Sequence, residues 1–147
     1  MFTRCFTIAD WSWTRQWFRD ETLNAALGPV EAEWLHAVLT DTHGVQLVVE
    51  EDERPVGLVG IVWAPAGDRH VVTDIAIAPP LRGTGLGRAV LSAATTWQGH
   101  PPSRGWAAFV EPVNLTARAF FESAHWVDEG VDGGMYRFVR RAPRARS

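Results

Sequence analysis

Apolar and polar positions change their period several times along the chain, and each change predicts an element. Phe2 to Ile8 reads as a first strand. Asp10 or Ser12 can cap a helix running to Leu27, which Gly28-Pro29 stops. A second helix, about Val30 to Leu39, carries Trp34, Leu35 and Val38 at helical spacing. Two β-rich runs follow, Val45 to Glu50 and Pro55 to Trp63, joined by the charged turn Glu51 to Arg54 as in a hairpin. A further strand, His70 to Ile77, ends at Pro79-Pro80, which cannot continue a ladder. Leu86, Ala89, Val90, Ala93, Ala94 and Trp97 then form one apolar stripe, the mark of an amphipathic helix packed on a sheet. After a Gly- and Pro-rich loop comes a strand, Gly105 to Val110. Asn114 caps a helix to Ala124, with Ala117, Phe120, Phe121 and Ala124 on one side. Trp126 to Val139 reads as a hairpin turning at Asp132-Gly133-Gly134. Helices sit where crossovers are needed among mostly antiparallel strands, so the expected class is α+β with about four helices.

Composition narrows this. The 147 residues are 46% apolar and 21% charged, with eight Trp, which suits one packed domain rather than a disordered chain. All 14 basic side chains are Arg. Without Lys there is no pyridoxal-phosphate Schiff base and no Walker-type P-loop. Every acidic residue precedes Gly133, so residues 1–139 carry a net −7, while Arg140 to Ser147 carry +4. The acidic body argues against a nucleic-acid partner and mildly favours a cationic small substrate. The Arg-rich end, 140–147, is expected to be a solvated, disordered tail after a single domain of 1–139; a DNA-binding regulator that uses it is the remote alternative. The single cysteine, Cys5, excludes an internal disulfide, and its apolar setting suggests a buried, inert thiol. The five His lack metal-site spacing, so no metal is expected. A signal-peptide profile and a membrane-length apolar run are both missing from the sequence, and the expectation is a cytoplasmic protein with no membrane partner.

The chemistry-bearing segment is Asp74 to Arg88. A strand stops at prolines, and the glycine-rich turn Arg82-Gly83-Thr84-Gly85-Leu86-Gly87 opens directly into a helix. Glycines allow close backbone approach, and N–H groups at a helix start share a direction that the dipole reinforces, giving an anion site suited to a pyrophosphate. Arg82 and Arg88 flank it with guanidinium groups that suit phosphate oxygens. The dinucleotide fingerprint fails, because Arg88 and Val90 stand where its last glycine would be, and no acidic residue follows at the ribose-binding distance.

The segment resembles the GNAT superfamily of acyl-CoA N-acyltransferases, whose signature Q/R-x-x-G-x-G/A is met at every fixed position by Arg82 to Gly87. The stretch Val110 to Trp126 is similar to the family's second block, and the upstream order of elements follows its plan, so the resemblance spans nearly the whole chain. It implies a sheet that splays at the cofactor. Backbone groups of the strand Ile75-Ala76-Ile77, those of Ile75 and Ile77 foremost, would pair with the pantetheine arm. N–H groups of Gly83, Thr84, Gly85, Leu86, Gly87 and Arg88 would hold the pyrophosphate of acetyl-CoA. Asn114 would contact the cofactor arm or simply cap its helix, and Phe120 and Phe121 would wall the cofactor or fill the core.

The implied reaction is attack of an amine on a thioester in a ternary complex, without a covalent enzyme intermediate. An aliphatic amine, with pKa near ~10, is mostly protonated at neutral pH, so a base is required. Asp74 is the candidate and Glu111 the reserve. The family's usual acid, a Tyr, is replaced here by Phe121; Tyr136, Ser123 or a water would substitute, or the thiolate would leave unaided. His125 replaces the family's Gly before Trp126. Pro112, the non-Tyr residue at 121 and the Asp10…Trp17-Phe18…Asp20 pattern look like the branch that acetylates N-terminal amines of ribosomal proteins and the related aminoglycoside acetyltransferases. Trp11, Trp13, Trp17 and Trp34 would form an aromatic acceptor pocket or plain core. The expected protein is an acetyl-CoA-dependent N-acetyltransferase acting on a small-molecule or peptide amine, as a monomer or homodimer. The alternative is a non-catalytic acyl-CoA-binding module that has lost its acid.

Overall fold

Seven strands form one sheet in the computed structural model, which describes residues 1–64 and 68–141. In chain order they are β1 (Phe2–Cys5), β2 (Gly44–Glu51), β3 (Arg54–Val62), β4 (His70–Ile77), β5 (Gly105–Val110), β6 (Val127–Asp132) and β7 (Met135–Arg141). Their spatial order is β1-β2-β3-β4-β5-β7-β6, antiparallel throughout except for the β4–β5 pair. Five α-helices among the described residues complete the fold: α1 (Trp11–Trp17), α2 (Glu21–Leu27), α3 (Ala32–Thr40), α4 (Leu86–Thr95) and α5 (Leu115–Ser123). The class is α+β, as expected, with one helix more.

The extra helix comes from a break in the first one. Phe18 and Leu23 are both buried, and five residues apart they would lie about 140° apart around a single helix. Breaking the helix at 18–20 turns both toward the sheet. Asp20 restarts it, its carboxylate accepting the Leu23 N–H at 3.0 Å as an N-cap.

Each sheet face carries its own core. On one, Val90, Leu91 and Ala94 of α4 and Phe121 of α5 pack on Leu47, Val59, Ile61, Val110 and Phe138. On the other, α1 to α3 bring Phe18, Leu23, Trp13, Trp17 and Trp34 against Val48, Leu58 and Ala76. Strand alternation makes this possible, since neighbouring residues of β2 and β3 serve opposite layers.

Three expectations shift. The first strand ends at Cys5, because Ile8–Asp10 close a 3₁₀ turn. Cys5 itself is exposed rather than buried: β1 is the sheet's edge and contains no buried residue. The last strand continues past 139, with Arg140 and Arg141 paired to Trp106 and Gly105. The remainder of the expected tail, 142–147, lies outside the described residues.

Candidate active site

β4 and β5 pair only at His70↔Trp106 and Val71↔Ala107, yet they run on to Ile77 and Val110. Beyond Val71 the two strands therefore separate, and one edge of β4 is left without a strand partner among the described residues. The Ala78 N–H donates to the Val56 carbonyl at 3.0 Å. Antiparallel alternation then turns the backbone groups of Ala76 toward β3, and those of Ile75 and Ile77 into the gap. These are the two residues whose backbone was expected to meet a cofactor arm.

A β-bulge sets the face of Asp74. Gly60 pairs with Asp74 but Ile61 pairs with Val72, so Thr73 is an extra residue on β4. Before the bulge, Val72 points into the α4–α5 core; after it, Ala76 points into the α1–α3 core. Without the bulge, Asp74 would share the face of Val72. With it, the carboxylate lies on the α1–α3 side, where it accepts hydrogen bonds from the Thr73 hydroxyl at 2.9 Å and the Gln46 amide at 3.3 Å. A Cβ on Gly60 would collide with this carboxylate, so only glycine fits opposite it. Burial raises the Asp74 pKa above the ordinary carboxylate range, against the opposing hydrogen bonds from Thr73, Gln46 and the Gly60 backbone.

The glycine turn lies beyond the end of β4. Gly83 and Gly85 have φ of +77° and +82°, conformations that suit glycine, and beyond their adjacent residues no described atom lies within 4 Å of where their side chains would start. A ligand can thus approach this backbone closely. The Thr84 hydroxyl donates to the Leu81 carbonyl at 2.6 Å. Leu86 begins α4, while Gly87 makes room for the Phe120 ring, 2.9 Å from a would-be Cβ. Arg88, in the first turn of α4, is exposed. Arg82 is ion-paired with Asp20, in the turn between α1 and α2.

The other expected residues gather at the end of β5. Glu111 is exposed just past the strand, and its carbonyl accepts the Asn114 N–H at 2.9 Å. Asn114 accepts from the Ala117 N–H at 3.1 Å and caps α5. Tyr136 pairs with Val110 across β5 and β7, and the Arg118 guanidinium lies 3.9 Å above its ring. Tyr136 faces the α4–α5 layer, so it and Asp74 stand on opposite faces of the sheet, with the gap between them. Phe121 is a core side chain, 7% exposed, packed with Trp126 and Phe138 at ring distances of 5.1 and 5.7 Å.

Four features escaped sequence reasoning: the Thr73 bulge, Gln46 as partner of Asp74, the Asp20–Arg82 pair, and a network around Asp10. Only the bulge had a signal, in a glycine interrupting an apolar strand. Asp10 accepts hydrogen bonds from both terminal guanidinium nitrogens of Arg4 at 2.7 Å, the Trp13 indole N–H at 2.9 Å and the Thr7 N–H at 2.9 Å. Burial raises its pKa, but these bonds outweigh that and hold it at about 2. Asp10 thus fastens the entry to α1. Among the described residues, no three His, Cys, Asp or Glu side chains are grouped to hold a metal, and no helix is long and apolar enough to cross a membrane.

Comparison with known proteins agrees with this architecture. Residues 3–126 match the family model described as the acetyltransferase (GNAT) family. No curated protein matches the chain. Among solved structures, an acetyltransferase from Thermus thermophilus is similar at 21% identity and TM-score 0.73, covering 96% of each chain. A mutant of the spermidine N-acetyltransferase SpeG from Vibrio cholerae is similar at 17% identity and TM-score 0.69, over 95% of this chain and 92% of that one. Arabidopsis thaliana NAA60 in complex with acetyl-CoA is similar at 16% identity and TM-score 0.64, over 96% and 99%.

Proposed function

The chain belongs to the GNAT acetyltransferase family, and on that premise we propose that it moves an acetyl group from acetyl-CoA to a primary amine by direct attack, with Asp74 as general base. The observation that carries this reading is the bulge that places Asp74 on the α1–α3 face, beside a strand edge open to a cofactor arm. Acetyl-CoA suits the residues present. Its pantetheine amides can pair with the free backbone groups of Ile75 and Ile77. Its pyrophosphate fits the open backbone of Gly83 to Gly85 and the first N–H groups of α4, with Arg88 alongside. Acetyl-CoA supplies the activated thioester.

The remaining work falls to the chain's own groups. An incoming ammonium must lose a proton, and a carboxylate whose pKa is raised by burial is a better acceptor for it than an exposed one. Gln46 and Thr73 hold that carboxylate in place. A backbone N–H facing the gap would stabilise the negative charge that develops on the thioester oxygen. With Phe121 in the core, Tyr136 on β7, the single tyrosine of the chain, is the candidate acid for the departing sulfur, although a thiolate leaves without much help. The acceptor is a primary amine, as the spermidine named for the Vibrio cholerae relative suggests. The second reading, an acyl-CoA-binding module without turnover, draws on Phe121 alone.

A screen of polyamines, aminoglycosides and peptides with free N-termini, read by release of free thiol, separates the two readings. In Asp74→Asn, kcat should fall by about 10²- to 10⁴-fold. Its stability should hold or rise at neutral pH. A raised pKa means that the Asp74 contribution to stability is complete below about 3.8 and is lost as pH climbs through the raised value. An unchanged rate would transfer the role to Glu111 or to none. CoA at a hundredfold excess over Kd should stabilise the protein by about 2.7 kcal/mol, and the lack of any thermal shift would overturn both readings.

A further inference from the structure

Arg82 opens the glycine motif, but its guanidinium is committed elsewhere: it pairs with the carboxylate of Asp20, 62 positions earlier in the chain. Asp20 divides its two oxygens. One accepts the Leu23 N–H and caps α2; the other meets Arg82. Phe18 and Leu23, on either side of Asp20, are buried in the core that also contains Val48, Leu58 and Ala76 of the sheet. The turn between α1 and α2 is thereby held both to the α1–α3 core and to the loop that would hold a pyrophosphate. Both side chains of the pair remain partly open to water, at 40% and 30% exposure. Exposed pairs of this kind are weak enough to be exchanged. A pyrophosphate seated on Gly83 to Gly85, right beside Arg82, is a stronger partner for a guanidinium than a single shared carboxylate oxygen.

We propose that Arg82 is handed over from Asp20 to the cofactor's pyrophosphate, and that Asp20 is therefore a positioning residue coupling the two substrates. The inference rests on the acetyltransferase reading above. Before the cofactor binds, Asp20 neutralises Arg82 and holds it off the phosphate position. After the handover, Asp20 keeps its cap but has one unpaired carboxylate oxygen in the α1–α2 turn. That turn becomes more negative just as the acetyl donor arrives, which favours a cationic amine. Linkage makes the effect reciprocal, so a bound amine tightens the cofactor by the same factor.

Asp20→Asn is the discriminating variant, because Asn caps a helix as well as Asp does and α2 should survive. CoA binding is measured by calorimetry in the wild type, Asp20→Asn, Arg82→Gln and the double variant. Asp20→Asn should bind CoA about threefold more tightly, since the competing carboxylate is gone. In the Arg82→Gln background the same substitution should change nothing, a non-additivity that a merely structural role for Asp20 would not give. Steady-state kinetics at saturating acetyl-CoA should show a higher KM for the cationic amine in Asp20→Asn with little change in kcat. Weaker or unchanged CoA binding in Asp20→Asn overturns the handover, as does an effect that persists without Arg82. A wild type that fails to bind CoA overturns the acetyltransferase reading itself, which keeps the two failures distinct.

Discussion

At its closed end, the gap between β4 and β5 is stitched by packed rings; its open end is marked by unpaired strand backbone and the glycine turn. His70 and His100 sit at the closed end with Trp63, Trp97 and Trp106. His70, 1% exposed, accepts the Ala64 N–H at Nδ1 and contacts the Pro101 carbonyl through Nε2 at 2.7 Å. His100 repeats the pattern, with the Trp63 indole N–H at Nδ1 and the Ala94 carbonyl at Nε2. With an N–H donor at each Nδ1 and a carbonyl at each Nε2, both rings have both nitrogens partnered. The open end has the reverse character, with unpaired strand groups and two positive-φ glycines in empty space. Pairing is concentrated at one end and withheld at the other.

The contrast can be broken from either side. Trp106→Ala at the closed end should cost about 3–5 kcal/mol, read from the urea midpoint, as truncation of a buried aromatic does. At the open end, Gly85→Ala meets no neighbour and should cost only the left-handed strain of about 1–2 kcal/mol. Its larger effect should be on CoA affinity by calorimetry, where Trp106→Ala acts only through stability. Acid offers a reversible probe of the closed end. Burial holds the His100 pKa below its usual value, with the Ala94 bond opposing and the His70 charge assisting. The unfolded chain therefore binds the proton more readily, and stability should fall as pH drops below about 6.5, by no more than about 1.4 kcal/mol per pH unit for one proton. His100→Gln should flatten that slope in urea titrations at several pH values. Asn114→Ala, beside the open end, should cost about 1 kcal/mol through its lost cap. A larger loss of CoA affinity than of stability would give Asn114 the cofactor contact as well.

The strands around the gap were legible because breakers bound them: Pro79-Pro80 ends β4, and β4 and β5 have the limits the apolar runs suggest. The glycine turn was legible for the same reason. The break between α1 and α2 was not, since Phe18 to Asp20 contains neither Gly nor Pro, and only the demand to bury both Phe18 and Leu23 creates it. Cys5 misled because alternation cannot show that a strand lies at the sheet's edge. Arg82 was read as a phosphate ligand from its neighbours, whereas its present partner is distant in sequence. Asp74 could be named as a candidate from the sequence, but its face could not be read there, because that depends on the register against β3.

That register has an evolutionary side. Thr73 acts as a phase shift: removing one residue there would send Asp74 into the layer of Val90 and Leu91, and Ile75 and Ile77 toward the tryptophans. The carboxylate's post is therefore written in the length of the strand as much as in its letters. A relative could gain or lose a carboxylate on this face by a single insertion or deletion, with every other residue of the segment unchanged.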